Sequence, residues 1–287
     1  SVFYMFIVTS NGKYYLYNAD TDTLVLEVTG DGVLPNAASV FSDAVYYGAG
    51  NVLGKRTWTS PGPAVFTIVK YFNNSLGIAA MTVWNNRLWM SVQNTAGVNQ
   101  VFVSDGVSVV PAFTFPTTFL CTHMISHYGS LYFSGWVQGN LGTSGVRGQI
   151  WRYNGASLTK LYEVGTSVDG EYHYPWQMAS YNQFLVWTKN GTPNQGRSPG
   201  VTLYDAEVDA IIDGPSWDMD AAATEVQTTG VVVWGDTIVT SMRDQHTYGS
   251  GVKNPCIVSY MKLDGGVRQT LSTSFGSQSF DLQPASL

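Results

Sequence analysis

Tyr128-Gly129-Ser130-Leu131-Tyr132-Phe133, followed after a polar stretch by Ile150-Trp151-Arg152-Tyr153-Asn154-Gly155, sets the rhythm of this chain. Each half places an aromatic, apolar run against a turn signal, and the pair recurs. The first half returns as Trp84-Asn85-Asn86-Arg87-Leu88-Trp89, Tyr181-Asn182-Gln183-Phe184-Leu185-Val186-Trp187 and Trp234-Gly235-Asp236-Thr237-Ile238-Val239. The second returns as Val101-Phe102-Val103-Ser104-Asp105-Gly106, Val201-Thr202-Leu203-Tyr204-Asp205-Ala206 and Ile257-Val258-Ser259-Tyr260-Met261-Lys262-Leu263-Asp264-Gly265. Two turn signals that advance together at about 50 residues per step imply a propeller or a solenoid.

Nearly every segment is a short run of Val, Ile, Thr, Tyr, Phe and Trp bounded by Gly, Asn and Asp, which is strand character. Asp105-Gly106, Asn154-Gly155 and Asn11-Gly12 are hairpin signals, because tight turns need the positive φ that Gly and Asn accept. One unit reads strand, turn, strand, variable loop, strand, turn, strand. Clear copies span 78–115, 120–165, 174–214 and 223–274, with a poorer one at 37–72. Residues 2–30 hold three strands. The tail 275–287, with an extended piece at Ser279–Leu282, is available as the fourth. Six units over 287 residues give about 48 residues each, the size of a four-stranded blade.

The expected fold is therefore all-β: one six-bladed β-propeller domain over 1–287, its first blade closed by the C-terminal strand. Closure of that kind removes an exposed sheet edge. An open stack of sheets is the competing arrangement, and a Greek-key sandwich predicts no such period. Helix signals are almost absent; the best candidate is Ser216 to Gln227, where a Ser cap precedes Ala221-Ala222-Ala223, and it would be one insertion.

The repeat resembles the β-propeller units of tailed-bacteriophage virion and tail proteins. In those, segments like Tyr128-Gly129-Ser130-Leu131-Tyr132-Phe133 and Ile150-Trp151-Arg152-Tyr153-Asn154-Gly155 recur between long polar loops. The resemblance covers about 78–274. It implies a structural role in a virion, assembly with other virion proteins, and a surface offered to the host. Other propeller patterns are not matched: the Gly-His…Trp-Asp pair is absent, Ser104-Asp105-Gly106 has the wrong spacing for a sialidase Asp-box, and no double-Gly kelch pattern repeats.

Composition bounds the function. Charged residues make up 12%, about half the usual share, and Gly, Ser, Thr and Asn take their place. A net charge of −6 and a pI near 5.0 argue against a nucleic-acid binder, which needs a basic face. No apolar run approaches the roughly 18–20 residues of a membrane span, so no membrane insertion is expected. Ser1 to Val8 is read as a strand rather than a signal peptide. Cys121 and Cys256 stand at different phases of the repeat and are read as buried free thiols. The expected location is the virion, with a secreted or cell-surface protein as the alternative. Asn73-Asn74-Ser75 and Asn190-Gly191-Thr192 match the glycosylation pattern without deciding between these.

Candidate chemistry is sparse. His123 and His127 are four apart, but on a strand that spacing sets them about 13 Å apart, too far for one metal ion. With His173 and His246 they are read as scattered histidines. From Ser198 to Met242 there is no Lys, Arg or His, while Asp205, Glu207, Asp209, Asp213, Asp218, Asp220 and Glu225 all fall there. Asp218-Met219-Asp220 and Asp20-Thr21-Asp22 have the Asp-x-Asp form of a partial calcium loop, yet neither is followed by the Gly and distal Glu of an EF-hand. No metal and no cofactor are expected. Nor does any spacing assemble the carboxylate pair of a glycosidase or a nucleophile elbow, so no catalytic residue is assigned.

Aromatic residues outside the repeat are the binding candidates. Trp136, Trp176 and Trp217 fall in or beside the long loops, with Tyr172, Tyr174 and Tyr248. Rings flanked by Asn, Gln and Asp suit sugar stacking or a protein interface. Trp84, Trp89, Trp151, Trp187 and Trp234 occupy repeat positions and are read as packing. The longest loops, Gln138–Gly148, Asn190–Gly200 and Asp244–Asn254, join second to third strands and would form a polar crown on one face. The expected function is a non-enzymatic structural and adhesive module, with other virion proteins and a host surface glycan as partners. The alternative is a carbohydrate-active propeller, lectin or glycosidase, or a domain of a secreted bacterial surface protein.

Overall fold

A computed structural model describes residues 4–8, 13–18, 20–29, 35–57, 65–73, 75–137, 147–163, 175, 177–189, 200–216, 226–244, 246–248, 251–253, 256–262 and 269–271. Every regular element among them is a strand. The chain parts into two compact units, 1–116 and 117–287.

The first unit holds three antiparallel sheets in chain order. The first has three strands among the described residues: β1 Tyr4–Val8, β2 Lys13–Asn18 and β3 Thr23–Thr29. The second has four: β4 Pro35–Phe41, β5 Ala44–Ala49, β6 Val52–Thr57 and β7 Val65–Tyr71. The third comprises β8 Ser75–Trp84, β9 Arg87–Asn94, β10 Asn99–Ser104 and β11 Val109–Thr114.

The second unit repeats the plan. Its fourth sheet is β12 Phe119–His127, β13 Ser130–Val137, β14 Arg147–Tyr153 and β15 Leu158–Glu163. The fifth is β16 Met178–Tyr181, β17 Phe184–Lys189, β18 Gly200–Asp205 and β19 Ala210–Ser216. In the sixth, β20 Val226–Trp234 and β21 Thr237–Asp244 are followed, beyond a small ribbon, by β24 Cys256–Lys262 and β25 Gln269–Leu271. The ribbon pairs β22 His246–Tyr248 with β23 Gly251–Lys253. Part of the expected Asp244–Asn254 loop is therefore ordered as strand. The helix candidate at Ser216–Gln227 is likewise corrected at both ends, since Ser216 closes β19 and Val226 and Gln227 open β20. Its centre and the tail 275–287 lie outside the described residues.

Turn chemistry separates two kinds of hairpin. In the second to sixth sheets the first and second strands are joined by two residues, and at Ser42-Asp43, Asn85-Asn86 and Tyr128-Gly129 both have positive φ. That is the primed turn whose twist matches the flanking strands. In the third, fourth and fifth sheets the third and fourth strands are joined by four residues, at 105–108, 154–157 and 206–209. Here the side chain closes the turn: Asp105 Oδ1 accepts from Val107 N and Ser108 N at 2.9 and 2.7 Å, and Asn154 Oδ1 from Ala156 N and Ser157 N at 3.0 and 2.8 Å. Asn18 makes the same bond to Asp20 N in the first sheet, and Asp205 to Glu207 N in the fifth. An Asx side chain imitates a backbone turn in this way.

Bulges repeat at the same place. Pairing skips Asn36 on β4, Ala79 on β8, Thr122 on β12 and Thr229 on β20. Each lies six positions ahead of the turns that begin at Ser42, Asn85, Tyr128 and Gly235. The outer strands are bulged as well, at Glu27, Val69, Ala112 and Leu161. A bulge bends its strand and increases the local twist. The residue paired just past each inner bulge is small: Gly48, Ser91, Ser134 and Ser241. Beside Thr122, a Cβ on Gly135 would stand 2.0 Å from the Leu120 carbonyl oxygen.

The second strands of the third, fourth and fifth sheets are buried on both faces. Leu88, Trp89, Met90 and Ser91, then Leu131, Tyr132, Phe133 and Ser134, then Leu185, Val186, Trp187 and Thr188 are all buried. Such a run replaces alternation when both sides of a sheet are covered, and each large apolar side chain so placed contributes about 1.5–3 kcal/mol. In the first unit Phe41, Tyr46, Leu53, Ile78, Leu88 and Met90 form one core across the second and third sheets. In the second unit Tyr132, Ile150, Met178, Leu185, Trp187 and Tyr204 form another. Trp84, Trp89, Trp151 and Trp187 pack as expected, but Trp234 does not, being 83% exposed.

Trp187→Ala should therefore lower stability by about 3–5 kcal/mol, whereas Trp234→Ala should stay within about 0.5 kcal/mol. Gly135→Ala should cost about 1–3 kcal/mol through overpacking. Urea unfolding of the three variants checks all of this.

Candidate functional site

Of the six aromatic residues singled out in the sequence, only two fall among the described residues. Trp136 lies near the end of β13, half-buried, opposite Leu120 and Gly148. Tyr248 ends β22 opposite Gly251. Trp176, Trp217, Tyr172 and Tyr174 lie outside the described residues, as do Asp218 and Asp220. Asp20 and Asp22 sit in the β2–β3 turn, where Asp22 accepts from the Tyr17 hydroxyl at 2.8 Å.

The described side chains assemble a different site, between the fourth and fifth sheets. Arg152, near the end of β14, donates through Nη1 to the Tyr204 hydroxyl at 2.6 Å and to Asp209 Oδ1 at 3.0 Å. Tyr204 itself donates to Asp209, which stands at positive φ in the β18–β19 turn. The Tyr132 ring lies 6.1 Å from that of Tyr204. At the rim, the Tyr128 hydroxyl donates to Glu207 Oε1 at 3.1 Å. The Tyr204 hydrogen bond, with Arg152 beside it, holds the Asp209 carboxyl below the usual carboxylate range. Burial, then the carboxylate bond, pushes the Tyr204 phenol up.

Two histidines extend this joint. His127 Nε2 lies 3.1 Å from the Gln183 carbonyl, which can only accept, so the proton is on Nε2. Its Nδ1 lies 2.7 Å from Ser180 Oγ. His123 Nδ1 accepts from Met178 N at 3.3 Å. His123, whose Nδ1 accepts, is thus neutral in the folded state. Burial draws His123 down to about 4, and it lowers His127 too, partly offset by the Gln183 bond. Sequence reasoning weighed these histidines only as metal ligands. Their strand spacing does put them on one face, and that face meets the neighbouring sheet. Arg152 and Asp209 were missed as a pair because 57 positions separate them.

A second feature lies in the first unit, where β7 and β9 end and β8 and β10 begin. It is a cavity of about 270 Å³ lined in part by Lys70, Tyr71, Phe72, Asn94, Gln100 and Phe102.

No family model matches the chain, and no curated protein does. Solved structures do. A computationally designed protein, Ika8, is similar at 11% identity and a TM-score of 0.51, over 93% of this chain and 82% of that one. The extracellular domain of a B. thetaiotaomicron protein described as a one-component system gives 10% and 0.52, over 89% of this chain and 33% of that one. The tricorn protease gives 12% and 0.51, over 95% and 29%. The chain spans about a third of the length of these last two. The likeness is one of fold: all-β and propeller-like.

Asp209→Asn and Arg152→Met should each cost about 0.5–1.5 kcal/mol. Because the two share one network, the double variant should cost less than the sum; a double-mutant cycle in urea measures this. Unfolded imidazoles take up protons near pH 6.5, but His123 does so in the folded chain only near 4. Between those values the unfolded chain binds more protons. Stability should fall as pH drops through that window, by on the order of 3 kcal/mol for His123 when complete, and level off below it. Guanidinium unfolding at several pH values should show that slope, flattened in His123→Gln.

Proposed function

We propose that the chain is a non-enzymatic, structural and adhesive β-propeller of a tailed-phage virion, joined to other virion proteins at one end and offering loops to the host surface at the other. The observation that carries this reading is the contrast between the two ends of each sheet in the second unit. Turns of two and four residues close one end, at 128–129, 154–157, 182–183 and 206–209. The connections 138–146, 190–199 and 245–255 leave from the opposite end and are rich in Gly, Asn, Thr and Ser. A rigid scaffold with variable polar loops at one end is the usual build of a recognition module. The ionisable side chains between the fourth and fifth sheets support the same reading, since Arg152, Asp209, His123 and His127 bond sheet to sheet.

In this reading the six sheets are blades of one closed ring. Residues 275–287 supply the fourth strand of the sheet that has only β1, β2 and β3 among the described residues. Deleting 275–287 should then lower the melting temperature by at least about 10 °C, several kcal/mol for a chain of this size. An unchanged melt would remove ring closure. For the virion role, antibody to this chain, gold-labelled on gradient-purified particles from the source, should mark discrete positions on tailed virions. Recovery of the chain only in the soluble fraction would overturn it.

A further inference from the structure

The cavity in the first unit brings a cation, amides and aromatic rings together. We propose that it binds a single acidic monosaccharide of the uronate class, its carboxylate held by Lys70 and its ring set against Tyr71. This deepens the recognition half of the function proposed above and does not depend on the virion placement.

The cation is held in place before any ligand arrives. Lys70 Nζ stands 5.6 Å from the Phe72 ring centroid and 5.4 Å from that of Phe102, and the two rings meet edge to face at 4.9 Å. It also donates to the Val109 carbonyl at 2.9 Å. An ammonium has three donors, and that carbonyl accepts only one. The aromatic faces attract the charge without neutralising it. Fixing a long side chain in advance lowers the ordering cost of binding, which otherwise weakens lysine contacts.

The rest of the lining favours a ligand rich in acceptors. Asn94 Oδ1 accepts from Ala96 N and Val98 N at 3.0 and 2.9 Å, which leaves its amide NH₂ as the free edge. Ser75 Oγ is already committed, donating to Gln93 O and accepting from Gly77 N. Gln100 adds a half-buried amide, and no carboxylate is among the lining residues. A carboxylate with neighbouring hydroxyls answers this set. Phosphate answers it less well, because no arginine fork or helix N-terminus is there to spread its charge.

Size and shape narrow the class further. About 270 Å³ lies just below the roughly 300–1,000 Å³ of drug-sized sites, so one ring fits and a long chain does not. Tyr71, which also lines the cavity, is 58% exposed, and an exposed aromatic ring can stack on the C–H side of a sugar.

The test uses the full chain with glucuronate and galacturonate as probes, and glucose, galactose and acetate as controls. Saturation-transfer NMR and calorimetry should show saturable uronate binding with a dissociation constant of about 1 mM or tighter. Glucose, galactose and acetate should each bind at least about tenfold more weakly. Lys70→Met should weaken uronate at least about tenfold and erase the preference over glucose. Since Lys70 also ties to Val109, Gln100→Ala and Tyr71→Ala serve as variants outside that tie. Tyr71→Ala should weaken uronate severalfold and leave acetate unchanged. Uronate failing to saturate by about 50 mM, glucose binding as tightly as glucuronate, or unchanged uronate affinity in both Lys70→Met and Tyr71→Ala would each overturn the proposal. None of these outcomes bears on where the chain sits in a virion, which the labelling of particles decides separately.

Discussion

A strand that is apolar on both faces has to be covered twice, and the second strands of the third, fourth and fifth sheets are of that kind. Leu131-Tyr132-Phe133 and Leu185-Val186-Trp187 leave no face for water. A lone sheet carrying such a strand would expose a core, so each sheet requires neighbours on both sides. The small residues Gly48, Ser91, Ser134, Thr188 and Ser241 follow those runs directly. At Gly48 the reason is visible, since a Cβ there would stand 2.6 Å from Cβ of Ile78 in the next sheet. Close stacking is therefore a condition of stability, and the rest of the fold arranges for it.

Polar groups caught between stacked sheets must find partners, because an unpaired buried donor or acceptor costs about 1–3 kcal/mol. His123 and His127 meet this by taking main-chain and hydroxyl partners from β16 and the turn after it. Arg152 meets it with a phenol and a carboxylate from the fifth sheet. Arg56 is a further fully buried cation, and burial draws its guanidinium down to about 10. The histidine and Arg152 joints tie the fourth sheet to the fifth through side chains.

Much of this was legible in the sequence. Asn85-Asn86 and Tyr128-Gly129 announced the tight turns because few residues accept positive φ, and the aromatic runs marked the strands. Asp105-Gly106 and Asn154-Gly155 also marked hairpins, although the Asx oxygen, not only the glycine, closes those turns. The bulges were not legible: Asn36, Ala79, Thr122 and Thr229 share no chemistry, only a position. Trp234 misled because identity at a repeat position was taken to imply burial, which depends on what stands opposite. The joint of Arg152 with Asp209 was hidden because only the folded register brings β14 beside the β18–β19 turn. Lys70 carried no motif at all; its placement over two phenylalanine rings belongs to packing alone.

The inner bulge changes what a one-residue insertion or deletion means in this protein. Side chains on a strand alternate faces, so the unpaired residue at Thr122 reverses that alternation part-way along β12. The strand behaves like a message with a frameshift already written into it. Cys121 and Met124 are both buried although they are three apart. Deleting Thr122 would restore regular pairing and leave Phe119 and Cys121 on their present faces, whereas deleting a paired residue such as Leu120 would turn Phe119 to the other side. Chain length is thus dictated strictly at the paired positions of β12, and Thr122 is the one residue there that the register does not count.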